Sequence, residues 1–205
     1  ATPPFVYFFC RYIFQEPNIV WDFGKVNFMN SLVYLPVFYI VYDFFYTILH
    51  WFLHIRGIYA YIHKHHHHQK APSRATIDAI NVHPVEFFLG EYNHLFATFV
   101  CCQVLNMEVF VGSALLVIVL GALMTGWNHT RFDVTLKLFG TIIYDSKVHD
   151  VHHRIPQSNY GQYTMFWDVV FGSFRPYNEK DRINPEAQLD PNTGMSFLHA
   201  KTKSK

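Results

Sequence analysis

Apolar residues gather in three long blocks along the chain, with polar stretches between them. The blocks run from about Ser31 to Leu49, Val85 to Val104 and Val109 to Gly126. Each approaches the roughly 20 residues that a helix needs to cross ~30 Å of hydrocarbon. The second block carries Glu86, Glu91, Asn93 and His94 in its first half, so that half is expected to face the protein interior rather than lipid. Only Leu105 to Glu108 separates the second block from the third, a spacing that predicts an antiparallel hairpin. A shorter run, Phe5 to Phe14, is interrupted by Arg11 and reads as an interfacial or re-entrant helix.

Composition sharpens this picture. Of 205 residues, 51% are hydrophobic, 19% aromatic and 15% charged, against roughly 25% charged in ordinary soluble domains. Too few charges exist to coat three such helices in water, which disfavours a soluble bundle. The net charge of +1 leaves no basic surplus for nucleic acid. Three cysteines, two of them adjacent at Cys101 and Cys102, form neither a disulfide framework nor a thiolate metal site.

Charge distribution then orients the blocks. Arg56, Lys64, Lys70 and Arg74 lie between the first and second, and ten further Lys or Arg follow the third. The turn between the second and third has none, and only Arg11 and Lys25 precede the first. The bias of Lys and Arg toward the cytoplasmic face places the 50–83 region and everything after residue 126 on one side.

That side also holds most of the histidines. Eight of the 14 fall in three tight groups: His50 and His54; His63, His66 and His67; His149, His152 and His153. Spacings of three and four place side chains on one face of a helical turn, and imidazole suits iron, zinc and copper. Eight ligands exceed what one metal needs, so a two-metal site at a membrane surface is expected. Asp43, a carboxylate inside an apolar block, is a functional candidate by default. It precedes His50 by seven residues, about two turns on one face, and is expected to take the outer ring N–H of that histidine. His94, inside the second block, is read as an interfacial polar residue.

The three boxes occur in order, with His83-Pro84-Val85-Glu86 opening the second block. After the third box come Asn159-Tyr160-Gly161, Trp167-Asp168 and Phe171-Gly172. Over roughly Asp43 to Phe174 this resembles the fatty acid hydroxylase and sterol desaturase superfamily of membrane oxygenases. The resemblance implies an all-α membrane protein, a helical bundle with a histidine-rich dimetal site on its cytosolic side. Residues 1–175 would form a single domain and 176–205 a polar tail. The implied metal ligands are His50, His54, His63, His66, His67, His83, His129, His149, His152 and His153, with Asp43 and Asp168 supporting them from behind. The implied cofactor is a pair of iron ions, zinc being equally compatible with imidazole. The implied reaction is hydroxylation or desaturation of a fatty acyl or sterol lipid with dioxygen. Electrons are expected from a separate donor such as a b-type cytochrome and its reductase. A multi-pass location follows, in the endoplasmic reticulum or another organellar membrane. Trp51 stands where many members carry arginine after the first histidine. The competing reading is a non-catalytic membrane subunit of a larger complex that keeps the metal site; a metal transporter is disfavoured because no file of ligands crosses the spans.

Overall fold

The first apolar block folds into the longest helix. In the computed structural model, which describes residues 1–70 and 72–178, a single wide turn at Met29–Val33 leads into α2, Tyr34–Leu53, after α1 (Pro3–Gln15) and the two-residue strand β1 (Ile19–Val20). Tyr34, Phe38, Tyr42, Asp43, Thr47 and His50 of α2 are buried, recurring at the three-to-four spacing that keeps one helix face inward. Ile40, Ile48 and Trp51 lie on its open side. The tail expected over 176–205 falls, from residue 179 onward, outside the described residues.

The short helices α3 (Arg56–Tyr59) and α4 (Thr76–Ala79) follow, and then α5, Pro84–Phe99, which continues through a second wide turn to Val104. Proline at its start needs no N–H partner, and the His83 ring caps the helix by accepting the Val85 N–H at 3.2 Å. Strand β2 (Val109–Phe110) pairs in parallel with β1 and leads into α6, Val111–Asn128. Helix α2 packs against α5, α6 and the later α8 (Phe166–Phe171). Buried Ala97, Ala114 and Val117 meet the tyrosines of α2 in one core. At the other end, α1 lays Phe5, Phe9 and Ile13 into this core.

Two helices among the described residues are long and apolar enough to cross a membrane, Met29–Leu53 and Val111–Asn128. The expected second span is not one of them. Its helical part, α5, has 16 residues and turns Glu86, Asn93 and Thr98 inward, so polar groups interrupt the stretch that would have to be apolar. The described chain is mostly helical, but not wholly so. Strands β3 (Thr135–Leu138) and β4 (Thr141–Asp145) form an antiparallel hairpin, turned at Phe139 and Gly140 with φ of 49° and 83°. Positive φ at both central residues matches the twist of a tight hairpin. Tyr144 anchors the hairpin by donating toward Met124 O and Asn128 Oδ1 at the end of α6. Helices α7 (Ser146–Arg154) and α8 (Phe166–Phe171) complete the described chain.

The segment between α7 and α8 has no regular structure, yet it is tightly held by two buried carboxylates. Asp43, on α2, accepts the backbone N–H groups of Gln162, Tyr163 and Thr164. Asp168, on α8, accepts those of Tyr160 and Gly161 at 2.7 and 2.9 Å, and the Ser173 hydroxyl at 2.6 Å. Asp43 therefore does not take the His50 ring N–H expected of it, and Asp168 touches no histidine either. An irregular buried segment carries unpaired peptide groups, and the carboxylates are the acceptors that satisfy them. Gly161 is required by the same packing, because a Cβ there would sit 2.6 Å from the Thr164 carbonyl oxygen and 2.9 Å from Asp168 Oδ2. Each buried donor left without a partner costs about 1–3 kcal/mol. Asp43→Ala, which orphans three, is expected to destabilise the fold by at least about 3 kcal/mol. Thermal unfolding in detergent checks this, and an unchanged midpoint would refute the clamp.

Candidate metal centre

Five short pieces of chain converge beside this clamped segment. The last turn of α2 carries His50, and His54 caps its C-terminus. His63 follows α3, and His66 and His67 sit on a single tight turn at His66–His68. His129 caps α6, and His149, His152 and His153 lie on α7. Their ring nitrogens form two groups, His50, His54, His63, His67 and His152 in one, His66, His129, His149 and His153 in the other. Within each group the ligand-capable atoms lie within 4.8 Å of one another. His149 and His153, four apart on α7, share a face and a group, whereas His152 turns into the other. The neighbours His66 and His67 divide in the same way. Splitting one turn between two groups forces the groups to be adjacent, and the His67 and His153 ring centroids are 4.9 Å apart.

Backbone carbonyls fix how the rings present themselves. Nδ1 of His50 donates to Tyr160 O at 2.7 Å, that of His152 to Ser158 O at 2.6 Å, that of His153 to Gln69 O at 3.0 Å and that of His129 to Thr125 O at 2.8 Å. His63 Nδ1 faces Glu86 Oε1 at 2.8 Å. A carbonyl can only accept, so His50, His129, His152 and His153 carry their proton on Nδ1 and a lone pair on Nε2. Those Nε2 atoms point at one another: His50 to His63 at 2.9 Å, and His153 to His129 at 3.4 Å. His67 Nε2 closes the first group at 2.9 Å from His63 and 3.1 Å from His152. Bare lone pairs at such distances repel unless a positive centre lies between them.

Burial keeps these rings neutral. Desolvation, followed by the neighbouring imidazoles, holds His63, His66, His149, His152 and His153 well below the ordinary histidine range. It brings His67 down to about 3 and His129 down to about 4. Neutral imidazole is the ligating form. The His54 Nε2 atom is buried with no hydrogen-bond partner, again a nitrogen turned toward a shared point. The donor set fits two borderline cations such as iron or zinc, five nitrogens to one and four to the other.

Nine of the ten candidate histidines are brought together in this way; His83, the cap of α5, is in neither group. Glu86 has a larger part than the pattern assigned to it, since it holds the His63 ring. The clue was present, because an acidic residue inside an apolar block invites the same functional reading as Asp43. The carbonyls of Gln69, Ser158 and Tyr160 left no trace in residue type. Next to the second group lies a cavity of about 260 Å³, which reaches His66 and His129 and is walled by Tyr42, Tyr46, Phe87 and Ile118.

The chain is similar to several characterised lipid enzymes. It is 33% identical over 156 residues to a lathosterol oxidase of Rattus norvegicus, covering 73% of this chain and 48% of that one. It is 31% identical over 147 residues to methylsterol monooxygenase 1 of Rattus norvegicus, covering 69% and 47%. It is 27% identical over 160 residues to a Delta(7)-sterol-C5(6)-desaturase of Nicotiana tabacum, covering 77% and 55%. The chain thus spans about half the length of the curated relatives it matches. No solved structure matches it. The model of the fatty acid hydroxylase family matches residues 35–173, a stretch that takes in all nine gathered histidines and both clamping carboxylates, and the chain belongs to that family.

Proposed function

We propose that this chain is a multi-pass membrane oxidoreductase that hydroxylates or desaturates a lipid, fatty acyl or sterol, at a pair of iron ions. The observation that carries the reading is the division of nine imidazoles, eight of them buried, into two adjacent groups with ring nitrogens facing inward. Family membership and the similarity to sterol-oxidising enzymes support the substrate class. Open apolar faces on α2, α5 and α6, among them Ile40, Phe88 and Val119, support a lipid surrounding. Only 33% of the apolar window in Met29–Leu53 is buried within the chain. In this reading residues 1–175 act as one domain, and the membrane is that of the endoplasmic reticulum.

Paired irons, when bound, supply the capacity to activate dioxygen toward an unactivated C–H bond. The protein does the rest. His50, His54, His63, His67 and His152 hold one ion, and His66, His129, His149 and His153 the other. The carbonyls of Tyr160, Ser158, Gln69 and Thr125 and the Glu86 carboxylate keep five of those rings, His50, His152, His153, His129 and His63, in the ligating tautomer. The cavity beside His66 and His129 receives the lipid body, and its aromatic and aliphatic walls exclude water around the carbon to be oxidised. Electrons come from a separate carrier of the b-type cytochrome kind with its reductase.

Elemental mass spectrometry of the purified chain is expected to find two irons per molecule. Zinc in their place would call for iron reconstitution, and a metal-free, folded chain would overturn the proposal. His152→Ala and His66→Ala are each expected to empty their own group and to abolish formation of oxidised lipid in the presence of the donor and dioxygen. Full metal content and turnover in either would show that the boxes do not work together. Glu86→Ala, which frees the His63 ring, is expected to weaken metal affinity about 10–100-fold. Glu86→Gln, whose amide oxygen still accepts from Nδ1, should retain most of it in a chelator competition.

A further inference from the structure

The clamped segment between α7 and α8 runs in a definite direction along α2. Tyr160 O lies at His50. A Cβ on Gly161 would come 3.7 Å from Thr47 Oγ1, and the N–H groups of Gln162, Tyr163 and Thr164 sit on Asp43. Trp167 Nε1 donates to Ile40 O at 2.7 Å. Residues 160 to 167 therefore descend α2 from position 50 to position 40, about 15 Å at the helical rise. The chain then returns. The Phe171 ring is 6.4 Å from that of Phe44, and Ser173 O accepts the Asn159 N–H at 3.0 Å. Asn159 Oδ1 accepts the Arg175 N–H at 2.7 Å, and Asn159 Nδ2 donates to Arg175 O at 2.9 Å. Residues 159–175 thus form a loop closed at its neck beside the histidine groups, with α8 at its tip.

Polarity follows the same axis. Gln157, Ser158, Asn159 and Arg175 gather at the neck. From Met165 to Gly172 the one charged residue is Asp168, which is turned inward and is 1% exposed. Phe166, Val169, Val170 and Phe171 are 49% to 61% exposed. Phe44, Ile48 and Trp51 of α2 line one groove with Phe171, so the apolar surface of the tip is continuous with that of the helix. Donors are provided for as hydrocarbon requires. The N–H groups of 160 to 164 go to Asp168 and Asp43. The indole N–H of half-buried Trp167 shares a carbonyl oxygen that the hydrogen-bond ladder of α2 already uses. In water an indole at the surface has solvent as its partner; in lipid every such group must find one within the protein.

We propose that residues 159–175 are a re-entrant loop whose tip, α8, is immersed in the leaflet on the metal side, with lipid acyl chains covering Phe166, Val169, Val170 and Phe171. The inference rests on the membrane-spanning reading of α2. It adds an element that hydropathy along the chain does not mark, since six helical residues fall far short of a span. A descent of about 15 Å reaches halfway into a ~30 Å hydrocarbon core. The carbonyl behind His50 then belongs to an element held by Asp43 on one side and by lipid on the other.

Spin labelling of the full chain in phosphatidylcholine vesicles tests this. Cys10→Ser removes the exposed cysteine and leaves Cys101 and Cys102, which are buried. Val169→Cys, Ile40→Cys or Gln157→Cys then places one nitroxide at the tip, on α2 or at the exposed neck. Collision with oxygen, which enters hydrocarbon, is compared with collision with a polar nickel chelate, which hydrocarbon excludes. The oxygen-to-nickel ratio is expected to be about ten-fold or more higher at Val169 than at Gln157, and similar at Val169 and Ile40. Val170→Cys repeats the measurement at a neighbouring exposed position, so a misfolded Val169 variant does not decide the outcome. A tip as open to nickel as the neck, with Ile40 still shielded from it, overturns the loop and leaves the span standing. Nickel access at Ile40 overturns span and loop together. A tip shielded from both reagents overturns the lipid assignment, and dipolar broadening between labels would identify a second copy of the chain as the cover.

Discussion

The rest of this structure depends on which nitrogen of each buried imidazole carries the proton. A histidine ring free to choose its tautomer would pair Nε2–H with a neighbouring Nε2 and turn the cluster into an ordinary hydrogen-bonded knot. Carbonyls behind four of the rings, His50, His129, His152 and His153, remove that choice. Tyr160 O and Ser158 O each take an Nδ1–H, and the inward nitrogens keep only lone pairs. Desolvation then prevents the other escape, which is protonation: His152 and His153 are held far below the pH at which histidine usually charges. With neither a proton nor a hydrogen bond to separate them, the facing His129 and His153 nitrogens, 3.4 Å apart, are relieved by a cation and little else.

That requirement passes outward through the chain. A carbonyl can orient an imidazole only if the peptide bearing it cannot turn, and Tyr160 belongs to a segment without helix or strand. Asp43 and Asp168 supply the missing rigidity by taking five successive N–H groups, from Tyr160 to Thr164. One carboxylate comes from the first long helix and the other from the last short one, so the segment is fastened to both ends of the fold. Asn159 adds a third fastening through Val148 O and Arg175 O. The resulting order is carboxylate, peptide, ring, inward nitrogen, and a disturbance at any step reaches the last.

This layering explains what could be read from the residues and what could not. The boxes were legible because their spacing survives in local helix geometry: four residues on α7 bring His149 and His153 together in any surroundings. The apolar blocks at the first and third positions were legible for the same reason, since length and composition are local. The role of Asp43 was not, because its partners lie 119 to 121 residues away and are peptide groups, which look alike in every sequence. The second block was expected to turn its polar first half inward and does so at Glu86 and Asn93, a reading drawn from residue type, since helix periodicity is indifferent to whether a polar face meets lipid or protein. The β3–β4 hairpin did leave a mark in its β-branched runs around Phe139-Gly140, but one easily lost beside long helices.

The polar residues of α5 join these layers to the cavity. Glu86 faces the His63 ring, Asn93 donates to Tyr42 O at 3.0 Å, and His94 meets Tyr163. In a helix built only to cross lipid each would be a liability; here they face inward, at intervals that follow the cavity wall. Tyr163 carries a second constraint, since its backbone N–H is held by Asp43 while its hydroxyl faces His94. The same carboxylate that steadies the ligand-orienting segment thus also sets the position of the phenol at the cavity's far corner. The histidine groups and the shape of the cavity are therefore not independent in this fold: a change that shifts residues 160 to 164 moves the carbonyl behind His50 and the wall beside His94 together.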